Sequence, residues 1–414
     1  MSYDVHAVRA QIPALKSGSA RFDAPGGTQT PQPVIDAIVH ALAHPLAVRG
    51  VQNEGERNAE AIVAGARSAL ADLLGADPRG IVFGRSSTQL TYDLARTLAK
   101  GWGPGDEVVV SRLDHDSNIR PWIQAAEAAG ATVRWIEFDA ATGELTLDHV
   151  RDALGERTRL VAVTGASNLI GTRPDLPAIA ALVHRAGALF HVDAVHLAAH
   201  ASVELDALGA DFLTCSAYKF LGPHLGVLAS RPELLETLHP DKLLPSTDAV
   251  PERFELGTLP YELLTAARAA VDFLAGLAPA PGGATTEGGT AGRRARLAAA
   301  FEAIEAHEDA LRERVETGLA ALDGVTVHSR AALRTPTLLL TFPGRSAADA
   351  SRHLAARGVD APAGSFYALE ASRHLGLGDA GGLRVGLAPY SSEEDVELLL
   401  DALADYLATT PAGD

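Results

Sequence analysis

The segment DFLTCSAYKFLGPHLGVLAS holds the residue with the most to offer chemically. The chain has only four lysines, at 16, 100, 219 and 242, against 31 arginines, so nearly all its side-chain cations are guanidinium groups. Lys219 follows an apolar run and precedes a Gly-Pro turn, which sets it on a loop at a strand end among apolar neighbours. It could be a solvated surface lysine. It could also be a desolvated amine, with a lowered pKa and able to condense with an aldehyde. Upstream, HVDAVH ends a second apolar run in Asp193. A carboxylate there needs a cationic or hydrogen-bonding partner. It could cap the next helix, or hold a protonated pyridinium.

The Lys219–Asp193 combination is the one pyridoxal enzymes use, with a Schiff-base lysine and an aspartate at the ring nitrogen. Other segments supply candidate partners. In GRSSTQLTYDL a strand ends and Ser86, Ser87 and Thr88 open a helix, so their hydroxyls and free amides form either a plain cap or an anion site. No Gly-Lys-Ser/Thr follows, which excludes a P-loop. In SRLDHDSNIRPW, His115 sits just after a strand, as a structural histidine or one that stacks on a ring. GASNLIG puts Asn168 at another strand end, and GGLRVGLAPY puts Arg384 inside a buried strand. A buried guanidinium requires an anion, either a substrate carboxylate held bidentately or a structural Asp or Glu.

The elements that must position these residues show in the pattern of short apolar runs. IVFG, EVVVS, TVRWIE, RLVAVT, ALFHVD, DFLTCS and LGVLAS, between 81 and 230, read as strands without clean alternation, as strands buried on both faces do. Helical stretches separate them, with Ser117–Ala129 ending at Gly130 and Asp175–Ala186 at Gly187. The class is therefore α/β with a mostly parallel sheet. A helix over 260–277 leaves that unit, and LAPAPGGATTEGGTAG then breaks all periodicity. Helix over 293–322, three strand-like runs and a Ser-capped helix over 391–407 make a smaller α/β unit. The division expected is a segment 1–20 packing with the small domain, a large domain 21–276, a linker 277–292 and a small domain 293–414.

Composition narrows the function classes. The net charge of -17 argues against nucleic acid or an anionic membrane as the main partner. A lone cysteine, Cys215, excludes an intrachain disulfide framework and a multi-thiolate zinc site, and no metal is expected. Charges or histidines interrupt the longest apolar stretches, and the N-terminus lacks the apolar core of a signal peptide, so a cytoplasmic location is expected.

In order and over nearly the whole chain from FDAPGGTQTP onward, these segments resemble the class V aminotransferase family of fold-type I pyridoxal-phosphate enzymes, in its cysteine desulfurase and selenocysteine lyase branch. The resemblance implies a large domain built on a mostly parallel seven-stranded sheet, a smaller C-terminal α/β domain, and a homodimer with the active site at the subunit interface. By matching position, Lys219 would hold pyridoxal 5'-phosphate as a Schiff base and Asp193 the ring nitrogen. His115 would stack on the ring. His196 stands where the family usually has a Gln at the phenolic oxygen, with Asn168 near the same oxygen and the substrate. Ser87, Thr88 and Ser216 would bind the phosphate, with Tyr218 where many desulfurases have a phosphate-binding His. Thr258, in RFELGT, would reach the partner subunit's phosphate, and Arg384 would clamp the substrate's α-carboxylate.

The departure lies in VDAPAGSFYALE (359–370). Phe366 and Tyr367 stand where desulfurases carry the cysteine that becomes a persulfide, and no cysteine follows 215. The expectation is a lyase on an amino-acid substrate, expelling a sulfur or selenium group from Cβ without a protein persulfide, with Tyr367 or His196 protonating the leaving group. The alternatives are an epimerase of the isopenicillin N epimerase kind, an aminotransferase, or a fold relic that serves as an interaction partner. Loops near 22–30, 46–53 and 362–372 are expected around the pocket.

Overall fold

The computed structural model describes residues 3–277 and 290–409. Its strands are β1 (Ala20–Arg21), β2 (Ile81–Gly84), β3 (Glu107–Ser111), β4 (Thr132–Ile136), β5 (Thr158–Thr164), β6 (Leu189–Asp193), β7 (Phe212–Ser216), β8 (Gly226–Ser230), β9 (Thr326–Val327), β10 (Thr337–Thr341), β11 (Val359–Asp360), β12 (Ala363–Gly364) and β13 (Gly382–Gly386). Seven form the large sheet in the order β2-β8-β7-β6-β5-β3-β4. It is parallel from β7 through β4, and β8 runs antiparallel to both its neighbours. This is the fold-type I architecture.

The missing alternation in these runs has a direct cause. Val109, Val161, Val163, Phe190 and Leu213 enter one apolar core. Val108, Val110, Leu160, Ala162 and Phe212 enter a second core on the opposite face. Both faces of each strand are thus apolar because helices cover both sides of the sheet.

A four-stranded sheet in the order β12-β13-β10-β9 lies toward the C-terminus. Its core joins Leu338, Leu340, Leu383 and Val385 to Val396, Leu399 and Leu403 of the helix Glu393–Ala408. The β1–β11 ribbon adds Ala20, Phe22 and Val359 to the same core. Ahead of it, Val8, Ile12 and Leu15 pack into the core of the large sheet, while Arg9 pairs with Asp395 at 2.6 Å. Residues 278–289 of the expected linker lie outside the described residues, and a continuous helix, Thr290–Ala320, has begun by 290. That helix spans both cores, with Leu297, Phe301 and Ile304 in the large one and Leu311, Val315 and Leu319 in the small one.

One helix starts later than its sequence suggests. Asp116–Asn118 is a separate 3-10 turn, and the α-helix runs only over Arg120–Ala129, with Pro121 in its first turn. Proline's missing N–H costs nothing there. The turn frees His115 to face the carboxyl edge of the sheet. Among the described residues, no helix is long and apolar enough to cross a membrane.

Candidate active site

A cavity of about 660 Å³ opens at the carboxyl ends of the parallel strands, where open α/β sheets bind ligands. Each strand end contributes one group. β6 ends in Asp193, buried at 6% exposure. Its Oδ1 accepts the Val195 N–H at 2.9 Å. Burial pushes its pKa up to about 6, against that hydrogen bond and the nearby Lys219 ammonium. β7 leads through the turn Ala217–Lys219 to Lys219, whose Nζ donates to the Pro25 carbonyl. Burial is the main cause of its fall to about 8, Arg384 adds to it, and Asp23 and Asp193 oppose it. The desolvated-amine reading of Lys219 is therefore the one the geometry supports.

His115 follows β3. Its Nδ1 accepts the Ser117 N–H at 3.1 Å and lies 2.7 Å from Ser117 Oγ. That leaves the proton of the neutral ring on Nε2. Burial, then Lys219 and Arg384, push its pKa down to about 4, so the ring is uncharged at neutral pH. Beneath it, Asp114 bonds Ser111 Oγ and Asn118 Nδ2, each at 2.6 Å. Burial, partly offset by these bonds, raises Asp114 to about 8. Asn168, after β5, donates Nδ2 to the Phe366 carbonyl at 2.9 Å, and its buried Oδ1 has no protein partner. His196 lines the cavity and holds Thr335 Oγ1 at 2.9 Å and Thr337 Oγ1 at 3.0 Å through Nε2. Burial takes its pKa well below the ordinary value.

At the other end of the cavity, Ser86 caps the helix Ser87–Ala99 by accepting the Gln89 N–H. Ser87 and Thr88 line the wall there. Gly226 of β8 lets the sheet come this close, because a Cβ there would collide with the Ser86 backbone. Ser216 is not on the wall. It stands behind Ser87, donating to Ser87 Oγ at 3.1 Å. Tyr218 lines the cavity and stacks on His224 with ring centroids 4.8 Å apart. Thr258 is exposed and outside this chain's cavity.

The opposite wall comes from distant segments. Arg384 of β13, 2% exposed, donates to Asp23 Oδ1 at 2.6 Å and to the Asn168 carbonyl at 3.2 Å. Its Nε has no partner, and its guanidinium carbon lies 3.7 Å from the centre of the Phe366 ring. Of the two anions expected for this arginine, the structural aspartate is the one present. Asp23 was visible in sequence only as an acid in FDAPGG, and Gly26 makes room for it, since a Cβ there would meet its carboxylate. Phe366 and Tyr367 hold left-handed φ values of 52° and 58°, a conformation that side chains avoid and that tends to mark functional sites. The Asp116 N–H, donating to the Tyr367 carbonyl at 2.7 Å, helps to hold them. Tyr367 is 76% exposed, with its ring 5.5 Å from that of His115. The cavity also uses Tyr92, Asp116 and Arg120, which sequence reasoning missed. Within this chain, no residue of 46–53 is among those lining the cavity.

The donor set suits pyridoxal phosphate. A buried carboxylate with one oxygen free of protein partners matches a pyridinium, and the same cavity is lined by the first residues of a capped helix, Ser87 and Thr88, and by a desolvated lysine. Fold and site together define a pyridoxal-phosphate-dependent enzyme that acts on amino acids. Comparison with known proteins agrees. The sequence model of the class V aminotransferases matches residues 21–280 and 291–399, and the chain belongs to that family. It is 33% identical over 407 residues to an uncharacterized protein of Mycobacterium tuberculosis, covering 98% of this chain and 99% of the other. It is 32% identical to a probable cysteine desulfurase of Pseudomonas aeruginosa, covering 95% and 96%. The cysteine desulfurase CsdA of Escherichia coli superposes with a TM-score of 0.83 at 26% identity, covering 98% and 99%.

Proposed function

We propose that the protein is a cysteine desulfurase-like β-lyase that cleaves a C–S or C–Se bond of an amino acid without passing the released atom to a protein cysteine. The carrying observation is a desolvated lysine and a buried aspartate lining one pocket with Phe366 and Tyr367; by the resemblance, those two residues stand where desulfurases carry a thiol. The one thiol, Cys215, is buried inside β7, and burial pushes its pKa up, so it is an inert core group.

Bound pyridoxal phosphate supplies an electron sink that makes the substrate's Cα–H acidic and lets a group leave from Cβ. Lys219 would hold the cofactor, and its desolvated amine would serve as the base toward the Cα proton. Asp193 would hold the ring nitrogen, and the neutral His115 would lie against the ring. His196 and Asn168 would stand near the phenolic oxygen. Ser87 and Thr88 would bind the phosphate, with Ser216 behind Ser87 and Tyr218 also on the wall. Arg384, which lines the cavity, would take the α-carboxylate. Tyr367 or His196 gives the leaving sulfur its proton. With one water consumed, the products expected of this chemistry are the released thiol or selenol, pyruvate and ammonia.

A homodimer belongs to this reading. Val48, Val51, Leu243, Leu244 and Leu256 are all exposed, and Arg49–Glu252 at 2.9 Å ties the loop of Val48 and Val51 to the segment that leads to Leu256 and Thr258. A second subunit would cover them and bring Thr258 to the neighbouring phosphate. A cytoplasmic location stays with the reading and is open to fractionation. The activity test is pyruvate release from a panel of S- and Se-substituted cysteines by the loaded enzyme. Absence of pyruvate across the panel removes the lyase reading. Deuterium exchange at Cα without elimination would point instead to an epimerase or aminotransferase.

A further inference from the structure

A buried acid–base pair lies behind the pocket, outside every role assigned above. His200 Nδ1 is 2.8 Å from Glu308 Oε2, with side chains only 3% and 1% exposed. Glu308 sits in the helix Thr290–Ala320 between the residues that enter the large core and those that enter the small one. Its Oε1 has no partner. A buried carboxylate so placed is costly and holds its one partner firmly. The edge of one imidazole meets the face of the next, since the His200 and His196 rings lie 4.7 Å apart at 72°. Thr337 of β10 and Thr335 just ahead of it hold His196 Nε2, and Thr335 is itself tied to the Gly171 carbonyl.

We propose that Glu308 and His200 are positioning residues for His196, fixing the orientation of the imidazole that His196 presents to the pocket. Three contacts converge on one ring. The two threonines hold its Nε2, the His200 ring packs against it, and Glu308 in turn holds His200. The groups come from the large sheet, the bridging helix and the small sheet, so the seam between the two sheets is read out at His196. Burial first, and then the neighbouring His200, Lys219 and Arg384, disfavour a proton on His196. The inference rests on the proposed function only in taking His196 to face the cofactor.

The test uses the full-length protein with 15N-labelled histidine, comparing wild type, Glu308→Gln and His200→Gln, with His196→Gln to assign the signals. In the cofactor-free protein, Glu308→Gln is expected to change the protonation pattern of the His196 ring nitrogens. In the loaded enzyme it is expected to alter the visible circular dichroism of the cofactor and to lower kcat about tenfold, with KM within about twofold. In a His196→Gln background the same substitution should cost less than about twofold. Unchanged His196 signals, or an equal loss with and without His196, would overturn the proposal. If Glu308→Gln fails to fold, His200→Gln carries the same comparison. Failure of the wild type to bind pyridoxal phosphate would sink the functional reading instead, with the ligand-free signals still deciding this one.

Discussion

The two walls of the pocket are built on different principles. On the sheet wall, His115, Asn168, Asp193 and Lys219 each follow directly from the end of a parallel strand, and main-chain geometry fixes them. On the facing wall, Asp23, Phe366, Tyr367 and Arg384 come from three separate segments, held by an ion pair, a guanidinium over an aromatic ring and two left-handed residues in succession. The first wall is set by the register of the parallel strands. The second depends on contacts across the molecule. A site made this way can keep its cofactor chemistry while its substrate changes.

The sharpest way to break the comparison is at Lys219. Lys219→Ala should reduce turnover by roughly 10²–10⁴-fold or more, measured as product per molecule of loaded enzyme, because it removes both anchor and base. Next comes Asp193→Asn, expected to weaken pyridoxal phosphate binding by roughly 10–150-fold, the worth of a charged hydrogen bond. The same variant carries a pH signature. The folded pKa of Asp193 is raised from 3.8 to about 6, so the cofactor-free protein gains stability from that proton. The gain is complete below about 4 and is lost as pH rises through about 6. Cofactor-free Asp193→Asn should therefore melt higher than wild type above pH 6. A parallel fall in both proteins would assign the loss to another group, such as Asp114.

On the facing wall the effect should move from kcat to KM. Arg384→Lys keeps a charge but loses the planar fork, and should raise KM for an amino-acid substrate by about tenfold or more, with cofactor binding unchanged. Equal damage to cofactor binding would mean the walls are not separable. The smallest effect belongs to Cys215→Ala, expected to cost about 1 kcal/mol of stability and to leave specific activity within about twofold. Loss of activity there would restore a role for a thiol.

The sheet wall was legible in sequence, and the reason is local. All seven strands lie within a residue of their apolar runs at either end, and a group that ends a strand sits at the strand's carboxyl edge by construction. The facing wall was not legible to the same degree. Arg384 could be recognised as a buried cation, but its pairing with Asp23 joins residues 361 positions apart. Phe366 and Tyr367 were visible as a missing cysteine, whereas their left-handed backbone depends on the bonds to Asn168 and Asp116. The Glu308–His200 pair gave no sequence signal, because glutamate in a long polar-looking helix reads as solvent-facing.

The central claim is that Lys219 carries pyridoxal phosphate in this pocket. Its most direct test is borohydride reduction of the purified protein, followed by mass mapping of the peptides. The account predicts a band at the edge of the visible that reduction removes, with the cofactor's mass added to the peptide containing Lys219 and to no other lysine. An unmodified Lys219 after incubation with excess pyridoxal phosphate would contradict it.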